Sequence, residues 1–244
     1  MTDPMESNEP LPDPEHVGHE HPDVTGGWLR PAVFGAMDGL VSNFALIMGV
    51  VGGTSDHDAV ILAGLAGLAA GAFSMAAGEY TSVASQSEFA MAQVDLERDE
   101  ILNNESAEEA ELAVMFIEKG VDEDVAREVA SQIHRNPENA IRVHAREELG
   151  VDVDELASPM LAAVSSFFAF AVGAMIPVIP YVIGIESPWT AIVVSLVALF
   201  ACGAIVTRIT ARSWWFGGVR QLLLGGAAAG LTYLIGDAVG SAIG

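Results

Sequence analysis

With one cysteine, one lysine and ten basic residues in all, this chain of 244 residues lacks several things that would define other classes of protein. The single cysteine, Cys202, excludes a disulfide within the chain, and its apolar surroundings give it a packing role. Ten basic residues against 33 acidic ones leave a formal net charge of −23, a balance that repels a polyanion and argues against nucleic acid as a partner. The first 27 residues hold no apolar core of the kind a cleavable signal peptide needs, so none is predicted. They are polar, acidic and proline-rich, and read as a disordered arm (1–27) whose His16, His19 and His21 belong to a polar tail.

What the chain does have is apolar sequence, 51% of all residues, which conflicts with so high a charge unless the two are segregated. They are segregated. Five apolar stretches of bilayer-spanning length lie at about 31–53, 59–84, 159–184, 189–211 and 215–243. Glycines four residues apart (Gly35 and Gly39, Gly67 and Gly71, Gly226 and Gly230, Gly236 and Gly240) suit close helix packing. Pro177 and Pro180 predict a distortion late in the third stretch. All ten basic residues fall in segments that a five-span arrangement puts on one side, and the loops 54–58 and 186–188 have none. The positive-inside rule then places the N-terminus in the cytoplasm and the C-terminus outside. The expectation is an all-α membrane protein: spans one and two over 28–84, a cytoplasmic helical insert over 85–158, and spans three to five over 159–244, in the cell membrane.

The insert carries 20 acidic and six basic residues. Ile101, Leu112, Met115, Phe116, Val125, Val129, Ile133, Ile141 and Val143 recur at helical spacing and are expected to face inward. Gly120, Asn136-Pro137 and Gly150 mark breaks between three or four short helices, with Asp122 as a helix cap. A strongly acidic surface is also a device of halophiles, so acidic clusters alone do not identify a binding site.

Asp38 and Glu79 lie inside the first two apolar stretches. Asp38 is about 10–12 Å from the cytoplasmic end of its span at ~1.5 Å per residue, and Glu79 about 9 Å from the same face. An ionisable group at that depth costs roughly 3 kcal/mol and is normally kept for function. Met75 shares a helix face with Glu79, one turn away, and Ser42 and Asn43 stand one turn beyond Asp38. Oxygen ligands with a thioether fit Fe(II), and after it Mn(II), Co(II) or Zn(II), while the absence of His and Cys at this depth argues against a dedicated zinc or copper site.

Asp38-Gly39-Leu40 followed by Gly49-Val50-Val51-Gly52, and Ala63-Gly64-Leu65-Ala66-Gly67 through Gly71-Ala72-Phe73-Ser74-Met75-Ala76-Ala77-Gly78-Glu79-Tyr80-Thr81-Ser82-Val83, resemble the vacuolar iron transporter family. The resemblance spans roughly 28–243. It implies a five-span homodimer with the ion path on its two-fold axis, and export of Fe(II) or Mn(II) from the cytosol against protons. Asp38 and Met75 match the family's intramembrane path. Glu97, Glu100, Glu108, Glu111 and Glu148 match the ligands of its helical metal-binding domain. Plant-type members carry a carboxylate where this chain has Gly67; here Glu79 follows the methionine instead, as in the prokaryotic and yeast-like branch. The family's methionine pair in the last insert helix is replaced by His144 and Ala145, and His144, one turn before Glu148, offers a nitrogen in place of a soft ligand.

The expected function is a secondary transporter of divalent metal, working in a lipid bilayer, without enzymatic activity or prosthetic group, and with Fe(II) or Mn(II) as bound and carried ions. The alternative is a membrane-anchored metal sensor or a ferroxidase built on the glutamate-rich bundle. Against the latter, no Glu-x-x-His motif of di-iron proteins is present.

Overall fold

A computed structural model describes residues 27–209 and 213–243, so the N-terminal histidines and Arg212 lie outside the described residues. The helices are α1 (Leu29–Gly53), α2 (His57–Asn103), α3 (Glu105–Glu118), α4 (Glu123–His134), α5 (Pro137–Glu147), α6 (Pro159–Met175), α7 (Ile179–Val182), α8 (Pro188–Ile209) and α9 (Trp214–Ile243), and no strand occurs among the described residues.

Four of them, α1, α2, α8 and α9, are long and apolar enough to cross a membrane. The third expected span differs. Ser158 accepts a hydrogen bond from the Leu161 amide and Pro159 occupies the first turn, so α6 starts cleanly. It stops at Met175 after 17 residues, about 25 Å. Pro177 has no amide to extend the helix; the chain tightens into a turn, with the Ile176 amide bonded to the Gly173 carbonyl, and resumes as the short α7. The two prolines interrupt the apolar stretch instead of bending it.

Helix α1 occupies the centre, packed on α6, α9, α2 and α8. Glycine makes this possible. A Cβ on Gly39 would run into the carbonyl oxygen of Phe170, and one on Gly236 into that of Gly49, so α1 meets α6 and α9 backbone against backbone. Gly67 and Gly71 instead receive side chains, Asn43 with Leu46 and the ring of Phe170, whereas Gly230 has no neighbour within 4 Å. Two polar clasps lock these contacts. Asn43 donates to the carbonyls of Gly64 (3.1 Å) and Ala174 (2.7 Å), joining α1 to α2 and α6. Thr232 on α9 donates to the Ala45 carbonyl on α1 at 2.6 Å. Asn43, expected with Ser42 as a ligand or donor on the Asp38 helix, is therefore buried and turned inward.

Helix α2 runs for 47 residues, about 70 Å, through residues 84 and 85 without a break. Its polar end packs Val94 and Ile101 against Ala140, Ile141 and Ala145 of α5, while Leu112 and Ala113 of α3 meet Ala130 of α4. Gly120 (φ +95°) and Gly150 (φ +66°) adopt left-handed conformations where helices end. Asp122 stands at the start of α4 but makes no side-chain cap bond, whereas Asn136 caps α5. Val125 and Val129, expected inside, are exposed. The inner stripe of α4 is Ala126, Ala130 and His134, whose smaller side chains let the helices approach.

Since the α1–α6 contact leaves no room for a methyl group, Gly39→Ala is expected to lower stability by about 1–3 kcal/mol, read as a reduced thermal midpoint in detergent. Gly230→Ala, with open space around it, serves as the control and should leave the midpoint unchanged.

Candidate metal centre

The intramembrane candidates differ in exposure and surroundings. Asp38 is exposed, in the stripe Phe34, Asp38, Ser42 and Leu46 that α1 leaves uncovered by the other helices. Met75 is half-buried and packs against the cluster formed by Ala72 with Phe170 and Ala174 of α6. Glu79 is half-buried one turn further along α2. A side chain at position 67 would crowd Asn43 and Leu46, so this packing favours the glycine there.

The insert does bring its candidates together. Ligand atoms of Glu97, Glu108 and His144, from α2, α3 and α5, lie within 4.8 Å of one another, the only such trio of His, Cys, Asp or Glu among the described residues. All three side chains are buried. His144 Nδ1 is 2.8 Å from Glu97 Oε1 and 4.0 Å from Glu148 Oε2. The 2.8 Å pair is misaligned for hydrogen bonding: Glu97 Oε1 and both ring nitrogens of His144 have no hydrogen-bond partner. Two donor atoms this close without a bond between them suit a common ion, since ligands at about 2.1 Å and right angles stand about 3 Å apart. Glu100 and Glu111, the second members of the two pairs, are exposed at the rim, and Glu148 is partly exposed. Ala145, next to His144, packs into the apolar core with Val94, Ile101, Ala140 and Ile141.

The electrostatics follow from this crowding. Burial, and then the carboxylates of Glu148, Glu108 and Glu100, push Glu97 up to about 7. Glu108 is raised by burial and by Glu111, Glu100 and Glu148. Burial, with His134 beside it, lowers His144 to about 4, so its imidazole is neutral at physiological pH with a lone pair free to donate. At neutral pH the cluster holds negative charge and a neutral nitrogen donor, with no Lys or Arg facing it. The nearby ion pairs, Arg98–Glu138 at 2.7 Å and Lys119–Glu147, brace the outside of the insert.

Sequence reading missed His134. It is buried, its Nδ1 lies 2.9 Å from the Ala130 carbonyl, and its ring meets that of His144 edge to face with centroids 5.2 Å apart. The signal was the four-residue spacing Ala126, Ala130, His134, which was outweighed by the larger valines of the neighbouring stripe.

A carboxyl whose folded pKa lies above its unfolded value favours folding below the unfolded pKa and loses that contribution as pH rises through the folded one. For Glu97 the window runs from 4.5 to about 7. Glu97→Gln in the metal-free protein should therefore raise the thermal midpoint at pH 8, by roughly 2–4 °C for each kcal/mol relieved, and leave it unchanged below pH 4.5. An equal effect at both pH values would contradict the burial of a charged Glu97.

The chain is also similar to known proteins along nearly its whole length. It is 37% identical over 229 residues to a vacuolar iron transporter of Acanthamoeba castellanii, covering 90% of this chain and 82% of that protein. It is 28% identical to vacuolar iron transporter 1 of Tulipa gesneriana, over 95% of this chain and 96% of the relative. The same identity holds for vacuolar iron transporter 1 of Oryza sativa subsp. japonica, over 92% and 91%. The sequence model of the VIT family matches residues 29–237, and with the residues of both candidate sites inside that match, this chain belongs to the VIT family.

Proposed function

We propose that the chain is a homodimeric transporter that exports Fe(II), with Mn(II) as a second cargo, from the cytoplasm in exchange for protons. Relatives named as iron transporters support the cargo. The observation that carries the mechanism is the uncovered stripe of α1. Asp38 and Ser42 point out of an otherwise enclosed central helix, between Phe34 and Leu46. A carboxylate facing hydrocarbon costs roughly 3 kcal/mol, so this stripe faces a second copy or a water-filled path. A two-fold axis running along α1 would bring two Asp38 side chains together and supply paired oxygens for an ion.

In this reading α6 and α7 together make the third of five spans as a broken helix, and the insert lies on the cytoplasmic side. Helix α2 joins the two sites. Glu79 and Glu97 are eighteen residues apart, five full turns, so both project from the same side of one continuous helix about 27 Å apart. Glu97, Glu108, Glu148 and His144, with Glu100 and Glu111 at the rim, collect the ion. Glu79, Met75 and Asp38 hand it across, the thioether providing a soft contact that hard ions use poorly. Protonation of Asp38 or Glu79 from the outer side releases the ion and couples its exit to the proton gradient.

Proteoliposomes that enclose a pH dye test this directly. Wild type is expected to carry Fe(II) with opposing proton movement, and Asp38→Ala to lose at least about tenfold of the flux, a loss of ~1.4 kcal/mol or more in barrier terms. Unchanged flux in the mutant would remove Asp38 from the path. Metal binding without any flux would favour a sensor, and iron oxidation without flux a ferroxidase.

A further inference from the structure

A cavity of about 420 Å³, within the size range of small-ligand pockets, opens at the end of the apolar helices nearest the insert. Three segments form it: the start of α1, the part of α2 just past residue 84, and the connection 150–157 that leads into α6. Each of these segments passes between polar and apolar sequence at this level, so the cavity lies where spans enter the headgroup layer of a bilayer. The first turns of α6, which follow directly, expose Met160, Leu161 and Val164, side chains suited to contact with acyl chains.

Arg30 and Glu155 both line this cavity, and neither makes an ion pair among the described residues. The Arg30 guanidinium lies over the Phe34 ring instead, 5.7 Å from its centroid. A guanidinium held by its face keeps its N–H edge for an anion. Asp152, the other acid of the lining, is already engaged by Arg146 and by the Asp154 amide. Ser87 donates to the Ala157 carbonyl at 3.4 Å and ties α2 to the connection, so the walls are fixed to one another. The cavity thus presents one cation and one anion that do not satisfy each other. A purely anionic ligand would be opposed by Glu155 and a purely cationic one by Arg30, whereas a zwitterion complements both.

We propose that this cavity holds the headgroup of a zwitterionic phospholipid, with its phosphate on Arg30 and its ammonium on Glu155. Guanidinium and phosphate form paired charge-assisted bonds, and a primary ammonium supplies N–H donors that a carboxylate accepts. The proposal goes beyond metal transport and does not depend on it: it needs only that the apolar helices cross a bilayer. A lipid held there joins α1 to the connection between the insert and α6.

The test uses the full chain, purified in detergent and stripped of co-purified lipid, with lipid binding followed by native mass spectrometry. Phosphatidylethanolamine is expected to bind at least about fivefold more tightly than phosphatidylglycerol, which keeps the phosphate but has no ammonium. Equal binding of the two, or tighter binding of phosphatidylglycerol, would overturn the proposal. Arg30→Gln should weaken both lipids by about three- to tenfold, while Glu155→Gln should weaken phosphatidylethanolamine alone and abolish the preference. Wild-type binding in the first variant, or a retained preference in the second, would contradict the assigned contacts. Should either variant fail to fold, by circular dichroism and thermal melting, the comparison of the two lipids on the wild-type chain still decides. Free phosphoethanolamine carries the same two charges without acyl chains, and at equal concentration it should leave the lipid in place. Displacement at equal concentration would make a soluble phosphorylated amine the ligand and overturn the lipid assignment.

Discussion

Carboxylates removed from water must be neutralised by a proton, a cationic side chain or a bound ion, and this chain has few cations to spend on them. Its basic side chains that pair do so on the outside of the insert, as Arg98 does with Glu138 and Arg127 with Glu123. Inside, Glu97 and Glu108 face other carboxylates and the neutral imidazole of His144. The apo cluster therefore holds a proton with raised affinity or leaves charge uncompensated, and a divalent cation relieves both. The same logic holds in the apolar half of the molecule, where Asp38 has no cationic partner within the described residues.

The scaffold serves this constraint by being rigid where the charges are not. Backbone contacts at Gly39 and Gly236 and the clasps made by Asn43 and Thr232 bind α1 into a tight core. With most of its surface occupied by α6, α9, α2 and α8, α1 is left one free stripe, and that stripe carries Asp38. Helix α2 is a strut long enough to belong to both halves. Its buried positions Val83, Val94, Glu97 and Ile101 follow one another along one side, so the apolar stripe that docks α5 also aims Glu97 into the cluster.

The long apolar helices were legible because length and hydropathy alone decide them, and Pro177 and Pro180 announced the interruption after Met175. The breaks at Gly120, Asn136 and Gly150 were legible from local conformational demands. The depth of Glu97 and Glu108 was not. Spacing put Glu97 with Glu100 and Glu108 with Glu111, yet only the first of each pair is buried, because burial depends on where α5 and α4 dock. Val125 and Val129 misled for a related reason: a close helix contact prefers the alanines beside them, and that choice brings His134 inward. Asn43 looked like a ligand because it adjoins Ser42, but 100° of helical turn directs it into the core, where two carbonyls claim it.

In the proposed function, buried acids in the insert exchange protons for a divalent cation. Proton release on adding Fe(II) or Mn(II) to the metal-free protein, measured at several pH values, tests this most directly. With Glu97 near 7 and His144 near 4, about one proton per ion is expected at pH 6, nearly all of it from Glu97, falling toward zero above pH 8. Binding that releases no proton at pH 6 would place the ion elsewhere and contradict the account.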